Sequence, residues 1–334
     1  MKFYKMLFSF SMIMGSLISI SSTSWMGMWM GLEINLLSII PLMNSNKNIL
    51  STEASIKYFI TQALASTILL FAIIMFSQNM FLEFNNKILL IFNSALLTKM
   101  GAAPFHFWFP EIMDGLMWIN CFIILTWQKI APMVILIYNL NFPQFFFMII
   151  IFSMMISGIL GFNQTSIRKI IAYSSINHIA WMISSMFVLE MIWIYYFIIY
   201  TFISMNIIFI FLILNVFFTK QLFISMNKNS IIKFFYIMNF LSLGGLPPFI
   251  GFFPKWMTIE SLIMNKYYLL SFFMVILTLF TLFYYIRLMF STLILNMNEI
   301  NYFIPHKINQ FWIMFSNFIM IISLLTCTIL FDFI

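Results

Sequence analysis

Apolar runs of about twenty residues, each long enough to cross a hydrocarbon core roughly 30 Å thick as a helix, recur along this whole 334-residue chain. A spanning segment must satisfy its own backbone hydrogen bonds, which leaves helices or closed barrels. A barrel would show short segments of alternating polarity, and none occurs. With 63% of its residues hydrophobic, the chain carries more apolar surface than a soluble domain can bury. It is therefore read as an all-α polytopic membrane protein, a single membrane domain over 1–334 with about eleven transmembrane helices. Those crossings are 5–22, 25–43, 56–76, 87–118, 119–138, 144–161, 167–188, 190–218, 231–265, 267–292 and 311–331.

Two of these crossings are too long for one straight helix, and both contain glycine and proline. The first is interrupted by Gly101-Ala102-Ala103-Pro104-Phe105, the second by Gly244-Gly245-Leu246-Pro247-Pro248-Phe249. Proline lacks an N–H and clashes with the carbonyl four residues before it, so a helix kinks or breaks there. Each is expected to cross once, as a discontinuous helix. Loop charge supports that count. With eleven crossings, Lys2, Lys5, Lys47, Lys57, Arg168, Lys169, Lys220, Lys228, Lys233 and Lys307 fall on one side, against Lys87 and Lys266 on the other. The positive-inside rule places the richer side, and the N-terminus, in the compartment of synthesis. Letting either broken segment cross twice would destroy the asymmetry. The breaks share the pattern Gly-x-x-Pro-Phe at 101–105 and 245–249, on the fourth and ninth crossings. An odd offset implies opposite directions through the membrane, as in the inverted repeats of transporters.

Only 7% of the residues are charged, yet four charges stand within apolar spans: Glu33, Lys99, Lys129 and Lys255. A charge near the bilayer centre costs about 2.5–3.5 kcal/mol on insertion scales, and such residues mark ion or proton paths. Glu33 lies in WMGMWMGLEINLLSIIPLM. Lys99 precedes the first break, whose free carbonyls can hold water or the ammonium group. Lys129 follows Gln128 and precedes Pro132, and Lys255 follows Pro254 in the second broken crossing. Burial disfavours a charged lysine and a neighbouring carboxylate favours it, so moving the carboxylate switches the proton on or off. Arginine, protonated at any accessible pH, could not serve. The competing reading makes these charges snorkelling groups or static ion pairs; pairing of Glu33 with Lys99 would still leave Lys129 and Lys255 without acidic partners in their own spans. His178, in IAYSSINHIAWM, is flanked by Ser174, Ser175 and Asn177, a polar cluster that can hold water for a proton shuttle or simply bond across helices. His106, among Phe105, Phe107, Trp108 and Phe109, reads as interfacial packing. Glu111, Asp114, Glu260 and Arg287 read as membrane-surface residues.

Other classes find no support. A net charge of +7 is spread over loops, without a basic patch for nucleic acid. Cys121 and Cys327 lie alone in apolar spans and read as packing residues. The start, MKFYKMLFSF, lacks a cleavage site and reads as the first span. No cysteine cluster, glycine-rich fingerprint or paired histidines suggest an iron–sulfur, nucleotide or haem site. The 30 Met and 44 Phe, with abundant Ile and Asn, fit a very A+T-rich, organellar gene.

Several strings, in order, carry a resemblance: GLEINLLSIIPLM at 31–43, LLTKMGAAPFHFWFPEIMDG at 96–115, LTWQKIAPM at 125–133, KIIAYSSINHIAWM at 169–182 and LSLGGLPPFIGFFPKW at 241–256. They resemble the chain 2 family of mitochondrial NADH–ubiquinone oxidoreductase, respiratory complex I, with an insect-like composition. The resemblance implies an antiporter-like core over about 25–292, followed by a C-terminal helix at 311–331. It implies a proton-translocating subunit of the membrane arm in the mitochondrial inner membrane, with the N-terminus in the matrix and the C-terminus in the intermembrane space. The roles of Glu/Lys pair, central lysine and terminal lysine on a hydrated axis then fall on Glu33 with Lys99, on Lys129 and on Lys255. Its partners would be the other membrane-arm subunits, accessory subunits and structural phospholipids. NADH, FMN, iron–sulfur clusters and ubiquinone would belong to the whole complex, and none to this chain. Three N-terminal helices of the related bacterial subunit would be absent. A stand-alone cation/proton antiporter of the same fold, and a structural subunit whose lysines only hold neighbours, are the alternatives.

Overall fold

The computed structural model describes residues 3–44, 48–78, 82–226, 230–247, 249–294 and 314–319, with no side-chain description at 82–86. The chain runs α1 (Phe3–Ser21), α2 (Trp25–Met43), α3 (Ile49–Gln78), α4 (Leu82–Met100), α5 (Trp108–Gly115), α6 (Trp118–Leu125) and α7 (Trp127–Ile137). It continues through α8 (Pro143–Phe162), α9 (Ile167–Met186), α10 (Glu190–Leu214), α11 (Thr219–Met226), α12 (Ser230–Gly244), α13 (Phe252–Met264) and α14 (Tyr268–Ile294). Beyond turns, the described residues add one isolated bridge, between Ser166 and Phe218. The all-helical class is as expected.

Helices tolerate the many hydroxyl residues because Ser and Thr bond back to carbonyls of their own turn, as Ser16 does to Ile13 and Ser153 to Ile150. Seven described stretches are long and apolar enough to span a membrane: α1, α2, α3, α6 with α7, α8, α10 and α14. The remaining helices are shorter or more polar. In α9, Arg168, Lys169, His178, Asn177 and a run of serines lower the hydropathy, and almost every residue from Ile170 onward is buried. The eleventh crossing at 311–331 is described only at 314–319, which is helical. The rest of it, with Cys327 and Ile334, lies outside the described residues, as do Lys2, Lys47, Lys228, Lys307 and Pro248.

The chain forms two compact units, Met1–Ser153 and Met154–Ile334. In the first, α3 packs on α2, α4 and α5, while α7 packs on α1, α4 and α6. The α1–α2 crossing brings backbones together: a Cβ at Gly31 would lie 2.5 Å from the Ser19 nitrogen. That contact fixes α2 two residues before Glu33. In the second unit, α10 packs on α9, α12 and α13, and α14 packs on α11, α12 and α13.

Among the differences from the sequence reading, three change the architecture. The 219–230 segment, expected as a loop, holds α11. The third crossing, expected over 56–76, is the longer α3. The crossing expected as continuous over 119–138 is two helices, interrupted at Thr126 (φ −117°, ψ −72°). There the Thr126 hydroxyl donates to the Phe122 carbonyl at 2.7 Å, and the Lys129 N–H reaches back only three residues, to Thr126, at 3.2 Å. Pro132, inside α7, cannot donate to Gln128, so the ladder is also short of a bond about a turn and a half after the break.

The two expected breaks are present, and their boundaries match. The first helix ends at Met100 or Gly244, and the next starts at Trp108 or Phe252. Gly101 and Gly245 follow the ends with φ +78° and +76°, a left-handed conformation that glycine adopts without strain. In both, the glycine N–H and the next residue's N–H close the helix on equivalent carbonyls, Leu97 and Thr98 or Leu241 and Ser242. This is a Schellman-type end. The repeat inferred from a five-residue pattern with three shared residues is thus also a repeat of local backbone structure at the helix ends.

Candidate functional site

In the first unit, α2, α3, α4 and α7 bring Glu33, Lys99 and Lys129 to one region. Lys99 occupies the last turn of α4 and is 7% exposed. Peptide dipoles at a helix C-terminus favour a cation. The sequence reading gave the freed carbonyls of this break to water or to the ammonium group. Side chains donate to two of them: Trp108 Nε1 to the Thr98 carbonyl at 3.1 Å, and Gln62 Nε2 to the Lys99 carbonyl at 3.4 Å. Glu33 lies near enough to act electrostatically on Lys99. The two form no direct ion pair of the kind Lys57 makes with Glu53 at 3.1 Å and Glu111 at 3.0 Å. Glu33 is half-buried, and its Oε1 is a buried oxygen without a hydrogen bond.

Between these helices runs a polar strip. The Tyr58 hydroxyl donates to Gln128 Oε1 at 3.2 Å, and Gln128 Nε2 donates to Asn35 Oδ1 at 2.8 Å. Asn35, Tyr58, Gln62, Lys99 and Gln128 line a small cavity of about 10 Å³, measured at the centre of a water-sized guest. That is about the room one water requires, and such a water needs two to four polar partners, which this lining supplies. Lys129, next to Gln128, is 1% exposed, and its Nζ sits 5.3 Å from the centroid of the Phe109 ring. It belongs to the first turn of α7, where helix dipoles oppose a cation and the ring face partly compensates.

In the second unit, Lys255 opens α13 but bonds α12. Its Nζ donates to the Gly244 carbonyl at 2.9 Å and to the Leu243 carbonyl at 3.3 Å, the last carbonyls of that helix. The ammonium also lies 5.8 Å from the Trp181 ring centroid. Gly245 makes this possible: a Cβ there would lie 2.7 Å from Lys255 Cδ and 2.9 Å from Nζ. A capped helix end thus holds the lysine in a site too apolar for a lone charge.

His178 on α9 shares this region. Its Nδ1 is 2.9 Å from the Tyr196 hydroxyl, and its ring stands 5.0 Å from that of Tyr200. His178, Tyr196 and Tyr200 line a second small cavity with Ser242, Leu243, Gly251 and Pro254, residues of the second broken crossing. The carbonyl of Leu243 that binds Lys255 therefore belongs to a residue facing the histidine's cavity. The neighbours Ser174 and Ser175 donate to Ile171 and Ala172, and Asn177 Nδ2 reaches the Thr281 hydroxyl at 3.4 Å. The serine protons are therefore committed to the helix rather than offered to the shuttle.

Sequence reasoning missed the tyrosines. Tyr58, Tyr196, Tyr200, Tyr284 and Tyr285 are all buried. Tyrosine where phenylalanine would pack equally well was the available signal, because a buried hydroxyl needs a partner. His106, read as interfacial, is buried, with Nδ1 3.3 Å from the Pro104 carbonyl, while Phe107 beside it is exposed. Glu111 is at the surface, as expected. The exposed Arg287 stacks on Phe162 and bonds its carbonyl at the end of α8. The buried Cys121 thiol donates to the Met113 and Leu116 carbonyls at 3.7 and 3.8 Å.

Comparison with known proteins places these features in a family. Residues 21–281 match the family described as NADH:quinone oxidoreductase/Mrp antiporter, TM. The chain is 50% identical to NADH-ubiquinone oxidoreductase chain 2 of Anopheles gambiae, over 91% of this chain and 90% of that one. It is also 50% identical to the chain of the same name from Aedes aegypti, over 97% of each. Among solved structures, a chain of respiratory complex I from Thermus thermophilus has the same fold, with a TM-score of 0.86 at 20% identity, covering 97% of this chain and 78% of that one. The broken helices and the lysines beside them thus stand in an antiporter-like fold, and the chain belongs to the NADH-ubiquinone oxidoreductase chain 2 family.

Proposed function

We propose that this chain is the proton-translocating chain 2 subunit of NADH–ubiquinone oxidoreductase, seated in the mitochondrial inner membrane with its N-terminus in the matrix. It holds no redox centre of its own; NADH, FMN, iron–sulfur clusters and ubiquinone are bound elsewhere in the complex, and structural phospholipids contact its outer helices. Its neighbours are the other antiporter-like and small core subunits of the membrane arm, together with accessory subunits. Lys99, Lys129 and Lys255 carry protons in turn, Glu33 sets the charge state of Lys99 through its field, and His178 exchanges protons beside Lys255.

The observation that carries this reading is the setting of Lys129. It is a fully buried lysine at the unfavourable end of a helix, one residue from the glutamine that lines the Lys99 cavity. Packing alone would be better served there by leucine or methionine. Lys129→Met in the assembled complex tests it. Protons moved per NADH oxidised in inner-membrane vesicles should fall sharply, with assembly retained. An unchanged ratio at unchanged turnover would remove Lys129 from the relay. The family also contains Mrp antiporters. A stand-alone antiporter would not co-purify with an NADH-oxidising assembly, so affinity isolation of the tagged chain separates the two readings.

A further inference from the structure

We propose that Asn239 and Asn317 are positioning residues for Lys255: the bond between them ties the C-terminal helix to α12 and keeps the end of α12 wound beneath the ammonium group. The inference rests on the reading of Lys255 as a relay group and adds to it the part of the chain that holds its seat.

Asn239 lies on α12, in the turns that lead to Gly244, and is 3% exposed. Its Nδ2 donates to Oδ1 of Asn317, itself 2% exposed, at 2.7 Å. Asn317 belongs to the helical stretch 314–319, which lies beyond the family-matched residues 21–281. On that stretch Phe315, Phe318 and Ile319 are exposed while Asn317 is buried. The helix thus turns its amide, not those apolar side chains, to α12. Leucine at both positions would serve packing alone. A buried amide needs a hydrogen-bonding partner, which makes the pair a register mark between two spanning helices.

From Asn239 a run of hydrogen bonds leads to the lysine. The Asn239 carbonyl accepts the Ser242 hydroxyl at 2.7 Å. The Ser242 carbonyl accepts the Gly245 N–H at 3.0 Å, and the Leu241 carbonyl accepts the N–H groups of Gly245 at 3.1 Å and Leu246 at 3.4 Å, which closes α12. Within that closed turn stand the Leu243 and Gly244 carbonyls that receive Lys255 Nζ. A buried asparagine deprived of its partner competes for the carbonyls of its own helix. Here the competition falls on the turn that seats the lysine. Losing an interhelical polar bond of this kind shifts a local equilibrium by roughly three- to twentyfold. The turn then opens more often and releases the ammonium group. The first break, closed by equivalent bonds to Leu97 and Thr98, supplies a control within the same chain.

The test uses the assembled complex in inner-membrane vesicles carrying Asn317→Leu, Asn239→Leu, Lys255→Met, the two asparagine changes together, and Asn317→Leu with Lys255→Met. Protons moved per NADH oxidised are measured per assembled complex. Backbone hydrogen–deuterium exchange is followed over 241–247, with 97–103 as the control. Lys255→Met should lower the ratio. Either asparagine change should lower it too, and should speed exchange over 241–247 by at least about threefold while leaving 97–103 unchanged. The two together should cost no more than the larger single loss, because they remove one bond. Added to Lys255→Met, Asn317→Leu should cost nothing further in the ratio, because the group it positions is gone, while exchange still rises. A contact that only holds helices together would lower the ratio equally in both backgrounds. That result overturns the proposal, as do additive losses in the asparagine pair, a normal ratio in Asn317→Leu, or unchanged exchange over 241–247; the relay role of Lys255 then stands. An unchanged ratio in Lys255→Met removes the relay role and the proposal together. Should Asn317→Leu fail to assemble, Asn317→Ala, which deletes the acceptor without adding bulk, carries the same comparisons.

Discussion

Replacing Gly245 by alanine isolates what the second break does for Lys255, because Gly101 provides a matched control. Both glycines hold nearly the same left-handed conformation, φ +76° and +78°. Either substitution therefore costs about 1–2 kcal/mol of backbone strain. Their surroundings differ. At Gly101 the new Cβ meets the Phe109 side chain at 3.3 Å, a contact relieved by a shift of tenths of an ångström. At Gly245 it meets Lys255 Cδ at 2.7 Å and Nζ at 2.9 Å, where ordinary contact begins at 3.4 Å. The lysine stem must move, and its bonds to the Gly244 and Leu243 carbonyls at 2.9 and 3.3 Å break or lengthen. Losing one charge-assisted bond is worth about 1.5–3 kcal/mol. If about 2 kcal/mol of that appears in the barrier for proton transfer, the step slows roughly thirtyfold. The assay is protons moved per NADH oxidised in vesicles carrying each variant, with assembled complex quantified in parallel. Both variants should lose assembly to a similar degree, and Gly245→Ala should additionally lose coupling. Equal coupling in the two would show that the seating of Lys255 on α12 plays no part in translocation.

Gly251→Ala should be more severe, since its Cβ would fall 1.7 Å from the Ser242 carbonyl oxygen, with backbone on both sides of the clash; loss of the assembled complex on native gels is expected, and normal assembly would contradict the packing described. Glu33→Gln keeps size and hydrogen bonding while removing the charge that acts on Lys99, so proton pumping should fall. Combined with Lys99→Met it should cost less than the two single losses summed, because both disable one switch, and strict additivity would mean that the groups act independently. The segment 219–226 should be labelled from the matrix side in mitoplasts opened by detergent and be protected in intact ones; labelling from the outer side would overturn the orientation drawn from the lysine and arginine bias.

Much of the scaffold was legible because its signals are strong. Apolar runs give the spans, and Gly101 and Gly245 near prolines give the two breaks to within about two residues. The Thr126 break was not legible, because its cause is a hydroxyl bonding to Phe122 and a proline a turn and a half away, neither of which marks position 126 in sequence. Short, partly polar α11 has no membrane-length signature and passed for a loop. The lysines were visible because charge in an apolar span has few explanations. Their partners were not. Tyr58, Gln62 and Tyr196 reach the site from helices distant in sequence, and only packing tells a tyrosine that bonds a histidine from one that fills space. That Ser174 and Ser175 donate their protons to their own helix could not be read from their adjacency to His178.

The matching boundaries of the two breaks put one backbone shape around two different sets of side chains. The position of Lys255 in the second copy is held by Glu111 in the first, at the surface and paired with Lys57, while the counterpart of Lys99 is Leu243, whose carbonyl now receives the Lys255 ammonium. One copy keeps its cation before the turn and the other after it. In the second copy, unwinding the last turn of α12 would release the ammonium directly, whereas in the first the freed carbonyls are held by Trp108 and Gln62 and the lysine would sense movement only through them. Two breaks of one shape thus seat their lysines on different supports.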